Sequence, residues 1–445
     1  MEILTGPGVP VYSWAPALEE GARTQARHCA GLPVTHHHVA VMADGHQGYG
    51  VPIGAVLPLR DAISPYAVGN DIGCGMALVP TTLGADDLLA PLPRASGARG
   101  PEARDDVMTA VATTIPSGTG TRTPTEAPDV DALIGQAWDA LVEAARLSGL
   151  PLSTSQTPVA AAGRPLDRNA FHTRARAQAG TLGSGNHFIE LLRGDDGTVA
   201  VMLHSGSRGA GAQICNNFHR MALKHCAAAG VTLPDPGLAW LPLVDSDAGD
   251  RDWAAVGRAY VRALKAALEY ARLNRDRMLR DVGAILEQRF PAVMRFDDMV
   301  NIHHNDATLE EHYGAQVWVH RKGAVKAAVG TDTIIPGSMA TGSYQGRGLG
   351  NRESFESCSH GAGRRMSRGQ ARRTLDLDEQ LRLLSRVGSK VFAASVDAVL
   401  DEMGGAYKDL DEVMRAQADL VEPVRRFSPV ATYKGADVRG RRRRR

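Results

Sequence analysis

The chain has 445 residues, enough for a sizeable core in one large domain or two, and its 50 Lys and Arg against 49 Asp and Glu leave a formal net charge of +1. Overall charge therefore gives no argument for nucleic acid. Five irregularly spaced cysteines (Cys29, Cys74, Cys215, Cys226 and Cys358) exclude a disulfide framework, and without a leader or an apolar stretch of bilayer length a soluble, cytoplasmic protein with no membrane partner is expected.

In chain order, residues 39–42 read as a buried strand that ends in a polar loop over 44–50. His36, His37 and His38 precede it; strand neighbours face opposite ways, so they read as structural. Residues 53–57 form a second apolar run, and Asn70-Asp71-Ile72-Gly73-Cys74-Gly75 interrupts a third. From 92 to 120 the chain is rich in Ala, Pro and Gly. Helical spacing over 131–147 closes on Gly149 with Pro151 behind it. Residues 151–179 lack periodicity and read as a mobile surface excursion. A strand is predicted over 198–203, between Gly183-Ser184-Gly185-Asn186-His187 and His204-Ser205-Gly206-Ser207-Arg208. The spacing then predicts a long amphipathic helix over 253–290 with Gly283 as its candidate break, and short strands over 300–349. Two more helices follow, over 377–403 and 410–425.

Helices and strands interleave without a repeat, and no linker divides two cores. This predicts an α+β fold: one large mixed domain over 1–435, sheets at its core and helices around them, followed by a basic, disordered tail over 436–445.

Chemistry concentrates in Ser357-Cys358-Ser359-His360-Gly361-Ala362-Gly363-Arg364. Small neighbours let a bulky substrate approach His360, glycines turn backbone N–H groups towards it, and Arg364 and Arg365 supply forked donors for phosphate. A histidine nucleophile at a phosphoryl centre needs such a setting. Asp71 and Cys74 share one tight turn, while His187, His204 and the His303-His304-Asn305 segment border other polar loops. One carboxylate, one thiolate and three imidazoles suit a divalent transition ion, or two ions bridged by the thiolate. Singly, each has a plainer explanation: a buried thiol, or a hydrogen-bonded histidine. No Gly-x-x-x-x-Gly-Lys-Ser/Thr loop is present, and the Gly-rich stretches at 118–122 and 346–350 lack the setting of a dinucleotide site.

Taken together, residues 38–42, 67–76, 182–190, 202–209, 303–305, 321–324, 335–339, 357–364, 406–409 and 433–435 resemble the RtcB family of RNA-splicing ligases, over nearly the whole chain and in family order. The resemblance implies an RtcB-like fold and an enzyme in which His360 attacks the α-phosphate of GTP and carries GMP. It implies that Asp71, Cys74 and His187 hold one manganese ion and Cys74, His204 and His304 a second. Ligand softness alone would point to zinc. Asn186, Glu190, Asn305, Pro336, Gly337, Ser338, Met339, Ser343, Gly361, Ala362, Gly363, Tyr407 and Lys434 match the family's guanylate contacts, with His187, Phe188, Ile189 and His304 in the same stretches.

The implied substrates are RNA ends: a 2′,3′-cyclic phosphate or 3′-phosphate is joined to a 5′-hydroxyl, in tRNA splicing or RNA repair. Arg208, Arg321, Lys322, Arg347, Arg364 and Arg365 are candidates for a basic RNA groove. A need for an archease-type activator is left open. A cyclic phosphodiesterase would need the metal ligands but not His360, and a non-catalytic RNA-binding protein would need neither. Ala43 departs from the proline common in the family, which would loosen the stretch carrying Asp44 and His46.

Overall fold

The computed structural model describes residues 1–445 except 94–98, 124–127, 155–163, 246–250, 292–293, 394 and 436–445. Two large sheets organise the α+β fold. The six-stranded sheet runs in the order Glu2–Leu4, Val11–Ser13, Val39–Tyr49, Val51–Leu59, Ala315–Lys322 and Asn305–His312. In the eight-stranded sheet the order is Val300–His303, Gly75–Gly84, Thr198–Ser205, Phe188–Gly194, Val421–Lys434, Ser343–Gly348 and Asp332–Pro336, and Lys390–Phe392 pairs in parallel with Val421–Lys434.

The period of two in the strand Thr198–Ser205 decides which face carries the chemistry. Val199, Val201 and Leu203 pack with Ile189 and Leu191 against Met278, Leu279 and Val282 of the long helix Trp253–Glu287. Ala200 and Met202 point the other way, towards Ile334 and Phe427, and His204 continues that second face. The helices Pro128–Ser148, Arg208–Ala228 and Trp253–Glu287 share an apolar cluster centred on Trp138, Phe218 and Tyr260.

Several sequence expectations are corrected. The polar stretch 44–50 is not a loop: the strand Val39–Tyr49 continues through it, paired to Val51–Leu59 with register shifts that absorb its glycines. Ala43 and Asp44 are fully buried there, so the segment is not loosened. The helix Trp253–Glu287 passes through Gly283 unbroken. Within 151–179 lies the helix Arg168–Gln178, whose first turn is capped by Asp167 and which buries Phe171 and Ala175; residues 155–163 of that excursion lie outside the described residues. Helix Ala103–Thr114 lies in the Ala-rich region. The helix expected over 377–403 ends at Arg386, where Gly388 turns with φ 75° before the strand Lys390–Phe392. The one expected over 410–425 stops at Ala416, and Val421 opens a strand. The basic tail lies outside the described residues. No helix among them is long and apolar enough to cross a membrane.

Candidate active site

Strand register builds the floor of the site. Phe188 pairs with His204 on one side and Lys434 on the other, and Glu190 pairs with Met202 and Thr432. Alternation turns Phe188, Glu190, His204, Thr432 and Lys434 to one face, where all five line a cavity of about 320 Å³. Ile189, between Phe188 and Glu190, faces the opposite core and is fully buried there.

Beside this floor the candidate metal ligands converge. Cys74 Sγ lies 3.2 Å from His204 Nε2 and 3.5 Å from His187 Nε2. His204 Nε2 lies 3.3 Å from His304 Nε2, and His187 Nε2 lies 2.9 Å from Asp71 Oδ2. The outer nitrogens are fixed: His187 Nδ1 donates to Leu182 O at 2.9 Å and His204 Nδ1 to Asn186 O at 3.2 Å. Since a carbonyl only accepts, each Nδ1 carries a proton, and each ring turns its Nε2 towards the cluster. Burial pushes His204 and His304 well below the usual imidazole range, which keeps both rings neutral. Burial and the Asp71 carboxylate push the Cys74 thiol well up. Burial opposes ionisation of Asp71, but its hydrogen bond with His187 holds the carboxyl below its ordinary value. Lone pairs that face one another at these distances repel unless a cation lies among them, so the donor set fits a divalent ion. The turn bearing His187 depends on Gly183, whose φ is 96° and whose absent Cβ would stand 2.5 Å from His187 Nδ1.

His360 follows the short strand Ser357–Ser359, and its ring meets His304 edge-on with centroids 4.9 Å apart. Its Nδ1 lies 2.6 Å from Oδ2 of Asp44, which is fully buried, although the two groups are not aligned as a straight hydrogen bond. Burial would raise the Asp44 carboxyl. The neighbouring His360, helped by His46 and Lys408, holds it below its ordinary value instead. Gly363, at φ 72°, lets the Gly361–Gly363 turn close on Asp44: a Cβ there would stand 2.4 Å from the Asp44 carbonyl oxygen.

Across the cavity Glu402 gathers the cations. Its Oε1 accepts from Arg364 at 3.1 Å and lies 2.8 Å from the Arg368 guanidinium as an ion pair, and its Oε2 accepts from Tyr407 at 2.6 Å and Lys434 at 3.2 Å. Burial alone would raise this carboxyl, but Lys434, Arg368, Tyr407 and Arg364 bring it to about 2. Three donors and the Arg368 charge occupy its two oxygens, so Glu402 orients these groups and has little capacity left for a ligand. Glu190 differs. Among the described residues only Oε1 has a partner, accepting from Thr432 at 2.5 Å, and burial raises the carboxyl to about 7 against Thr432 and Lys434.

Of the residues expected to contact nucleotide, Asn186, Phe188, Glu190, Pro336, Gly337, Ser338, Met339, Ser343, His360, Gly361, Ala362, Gly363, Tyr407 and Lys434 line the cavity. His187 and His304 stand in the metal cluster. Asn305 braces the Asp71 turn, donating to Asp71 O at 3.1 Å and accepting from Gly323 N at 2.9 Å. The expected basic groove loses Arg321, which is fully buried and forked onto Glu310. Lys322 donates to Tyr49 O at 2.7 Å, and Arg208 to the Thr181 hydroxyl at 3.2 Å and Gly118 O at 2.8 Å. Arg364 lines the cavity, whereas Arg365 and Arg347 are exposed. Sequence reasoning assigned no role to Asp44, His46, Arg368, Glu402 or Thr432, all at the site. For Thr432 the signal was available, since it alternates with Lys434 on one strand; for Glu402 there was none.

Residues 25–435 match the family described as tRNA-splicing ligase RtcB. The chain is 38% identical to the RNA-splicing ligase RtcB of Escherichia coli (strain K12), over 98% of its own length and 99% of that protein. It is 33% identical to the tRNA-splicing ligase RtcB of Thermococcus kodakarensis, over 92% and 90% of the two chains. Identity to the RNA-splicing ligase RtcB of Mycobacterium tuberculosis is 31%, over 92% of this chain and all of that one.

Proposed function

The chain belongs to the RtcB family, and from that membership and the His360–Asp44 pair beside a convergent donor cluster we propose that it is a GTP- and manganese-dependent RNA ligase. It joins RNA 3′-phosphate or 2′,3′-cyclic phosphate ends to 5′-hydroxyl ends, in tRNA splicing or RNA repair. The observation that carries the reading is the placement of His360: Nδ1 faces Asp44 Oδ2 at 2.6 Å, which leaves Nε2 for the cavity.

In the first step His360 Nε2 attacks the α-phosphorus of GTP; the N–P bond forms, the bond to the β-phosphate breaks, and pyrophosphate leaves. Asp44 fixes the ring and stabilises the positive charge that develops on it. Arg364 and Arg368, oriented by Glu402, would face the phosphates, Lys434 would sit near the guanine ring, and Glu190 would accept hydrogen bonds from the donor edge of guanine. A 2′,3′-cyclic phosphate is opened by water to a 3′-phosphate, the 2′-oxygen leaving as the hydroxyl; an oxygen of the 3′-phosphate then attacks the α-phosphorus on His360, and the N–P bond breaks to free His360. Finally the 5′-hydroxyl attacks the 3′-phosphate and releases GMP. Asp71, Cys74, His187, His204 and His304 would hold two manganese ions, which when bound neutralise phosphate oxygens and polarise the reacting phosphorus.

The test is incubation with manganese and GTP labelled at the α-phosphate. The wild type should gain an acid-labile label that His360→Ala lacks, and should join RNA ends. Folded, metal-loaded protein that takes up no label but opens cyclic phosphates would replace the ligase reading with a phosphodiesterase.

Glu190 makes the reading pH-dependent. With its carboxyl near 7, the ionised fraction falls from about nine-tenths at pH 8 to about one-tenth at pH 6. Guanine needs an acceptor there, so KM for GTP should rise about tenfold as pH drops across that window. Glu190→Gln should flatten the dependence; an unchanged profile in that variant would reject Glu190 as the guanine reader.

A further inference from the structure

The donor cluster rests on a helix that supplies none of its ligands. In Trp253–Glu287 the polar pair Asn274 and Arg275 is buried among Ala271, Met278 and Leu279, and Arg275 is fully inaccessible. Arg275 reaches three separate segments: Nε donates to Asn301 Oδ1 at 2.8 Å, one terminal nitrogen donates to Gly73 O at 2.8 Å and Ser205 O at 2.9 Å, and the other lies 3.2 Å from His303 Nδ1. Gly73, Ser205 and His303 are the chain neighbours of Cys74, His204 and His304. Asn274 completes the arrangement: Oδ1 accepts from Gly180 N at 2.7 Å and Thr181 N at 3.2 Å, and Nδ2 donates to Gly206 O at 3.1 Å. The first of these turns leads into Leu182, whose carbonyl fixes His187.

We propose that Arg275 is the positioning residue of the metal centre, its planar guanidinium setting the spacing of the three segments that carry Cys74, His204 and His304. This rests on the metal-centre reading above. A staple serving the sheet alone could bind any carbonyls, whereas every partner of Arg275 lies within three residues of a candidate ligand. Burying a guanidinium is costly, and an apolar side chain would pack the same space more cheaply. Burial lowers the Arg275 pKa only to about 10, so it stays charged. Outer groups of this kind hold first ligands in place and tune their donor strength.

The experiment titrates metal-free, full-length protein with Co²⁺, reading the thiolate-to-cobalt absorption, alongside the melting temperature without metal. Arg275→Lys keeps the charge but loses the fork. It should bind Co²⁺ about 10–100-fold more weakly, with a diminished thiolate band. Arg321→Lys, at a buried arginine that bonds to Ser357, Thr308, Glu310 and Phe355 and to no candidate ligand, should lower the melting temperature and leave the titration unchanged. Folded Arg275→Lys protein with wild-type affinity and band overturns the proposal. If Arg275→Lys does not fold, Asn301→Ala decides: it frees one arm of Arg275 and should weaken Co²⁺ several-fold, and wild-type affinity there overturns the proposal. Wild-type protein that takes up no Co²⁺ rejects the metal centre itself, a failure distinct from that of Arg275.

Discussion

Asp44→Asn should slow formation of the His360 adduct on the order of 10²–10⁴-fold and barely change the affinity for GTP. The substitution keeps the volume of a fully buried side chain but presents a neutral amide 2.6 Å from where Nδ1 now meets a carboxylate. Two effects follow. The imidazole loses the partner that selects the tautomer with Nε2 free, and the charge growing on the ring during attack is no longer opposed. Neither affects the ground-state contacts of GTP, so the loss falls on kcat rather than KM. The same carboxylate contributes to stability. Its folded pKa lies below its unfolded value, so the contribution is present above the unfolded pKa of about 3.9 and disappears as pH falls through the folded one. Asp44→Asn should therefore lower the melting temperature at pH 7 and converge on the wild type in acid. Single-turnover labelling and pH-resolved melting check both parts, and adduct formation at the wild-type rate would remove Asp44 from the mechanism.

Loss of Cys74 should be the most damaging change at the metal centre. Its sulfur touches His204 on one side and His187, itself joined to Asp71, on the other, so it serves both halves of the cluster. Cys74→Ala should release both ions, whereas His304→Ala, at one edge, should release one; elemental analysis after dialysis distinguishes the two. In the wild type a chelator should lower stability by RT ln(1 + [L]/Kd), about 2.7 kcal/mol where the ion stood at a hundredfold excess over Kd. Because burial and Asp71 keep the thiol protonated without metal, binding displaces a proton. Affinity should then rise roughly tenfold per pH unit for each proton displaced. A Cys74→Ala protein with its full complement of metal would refute the bridging role.

Most of this centre was legible because its donors sit at Gly-marked turns. The Asp71–Cys74 turn and the strand ending at His204 announce themselves through abrupt changes from apolar to polar sequence. What stayed hidden depends on pairing over distance. Gly45, Gly48 and Gly50 made 44–50 look like a loop, yet bulged pairing with Val51–Leu59 carries the strand through it and buries Asp44. Pro423 and Pro429 masked the strand Val421–Lys434, where a register shift falls between Pro429 and Ala431. Glu402 acquires its role from Arg364 and Lys434, 38 and 32 residues away in the chain, and no local pattern encodes that. Arg321 failed for the opposite reason: a charge on a mostly apolar strand reads as surface until its partner, Glu310 on the neighbouring strand, is known.

The register that places Lys434 beside Phe188 also dictates how the protein folds. Asp44 N reaches Ser359 across 315 residues, and Lys434 reaches Asn186 across 248. Contacts that close such long loops form late, after a large entropic cost, and they make folding slow. The proposed nucleophile, the carboxylate behind it and the lysine across the cavity come from distant parts of the chain, so a short contiguous fragment cannot assemble the centre. Activity and global folding should therefore be gained and lost together, in a single cooperative transition.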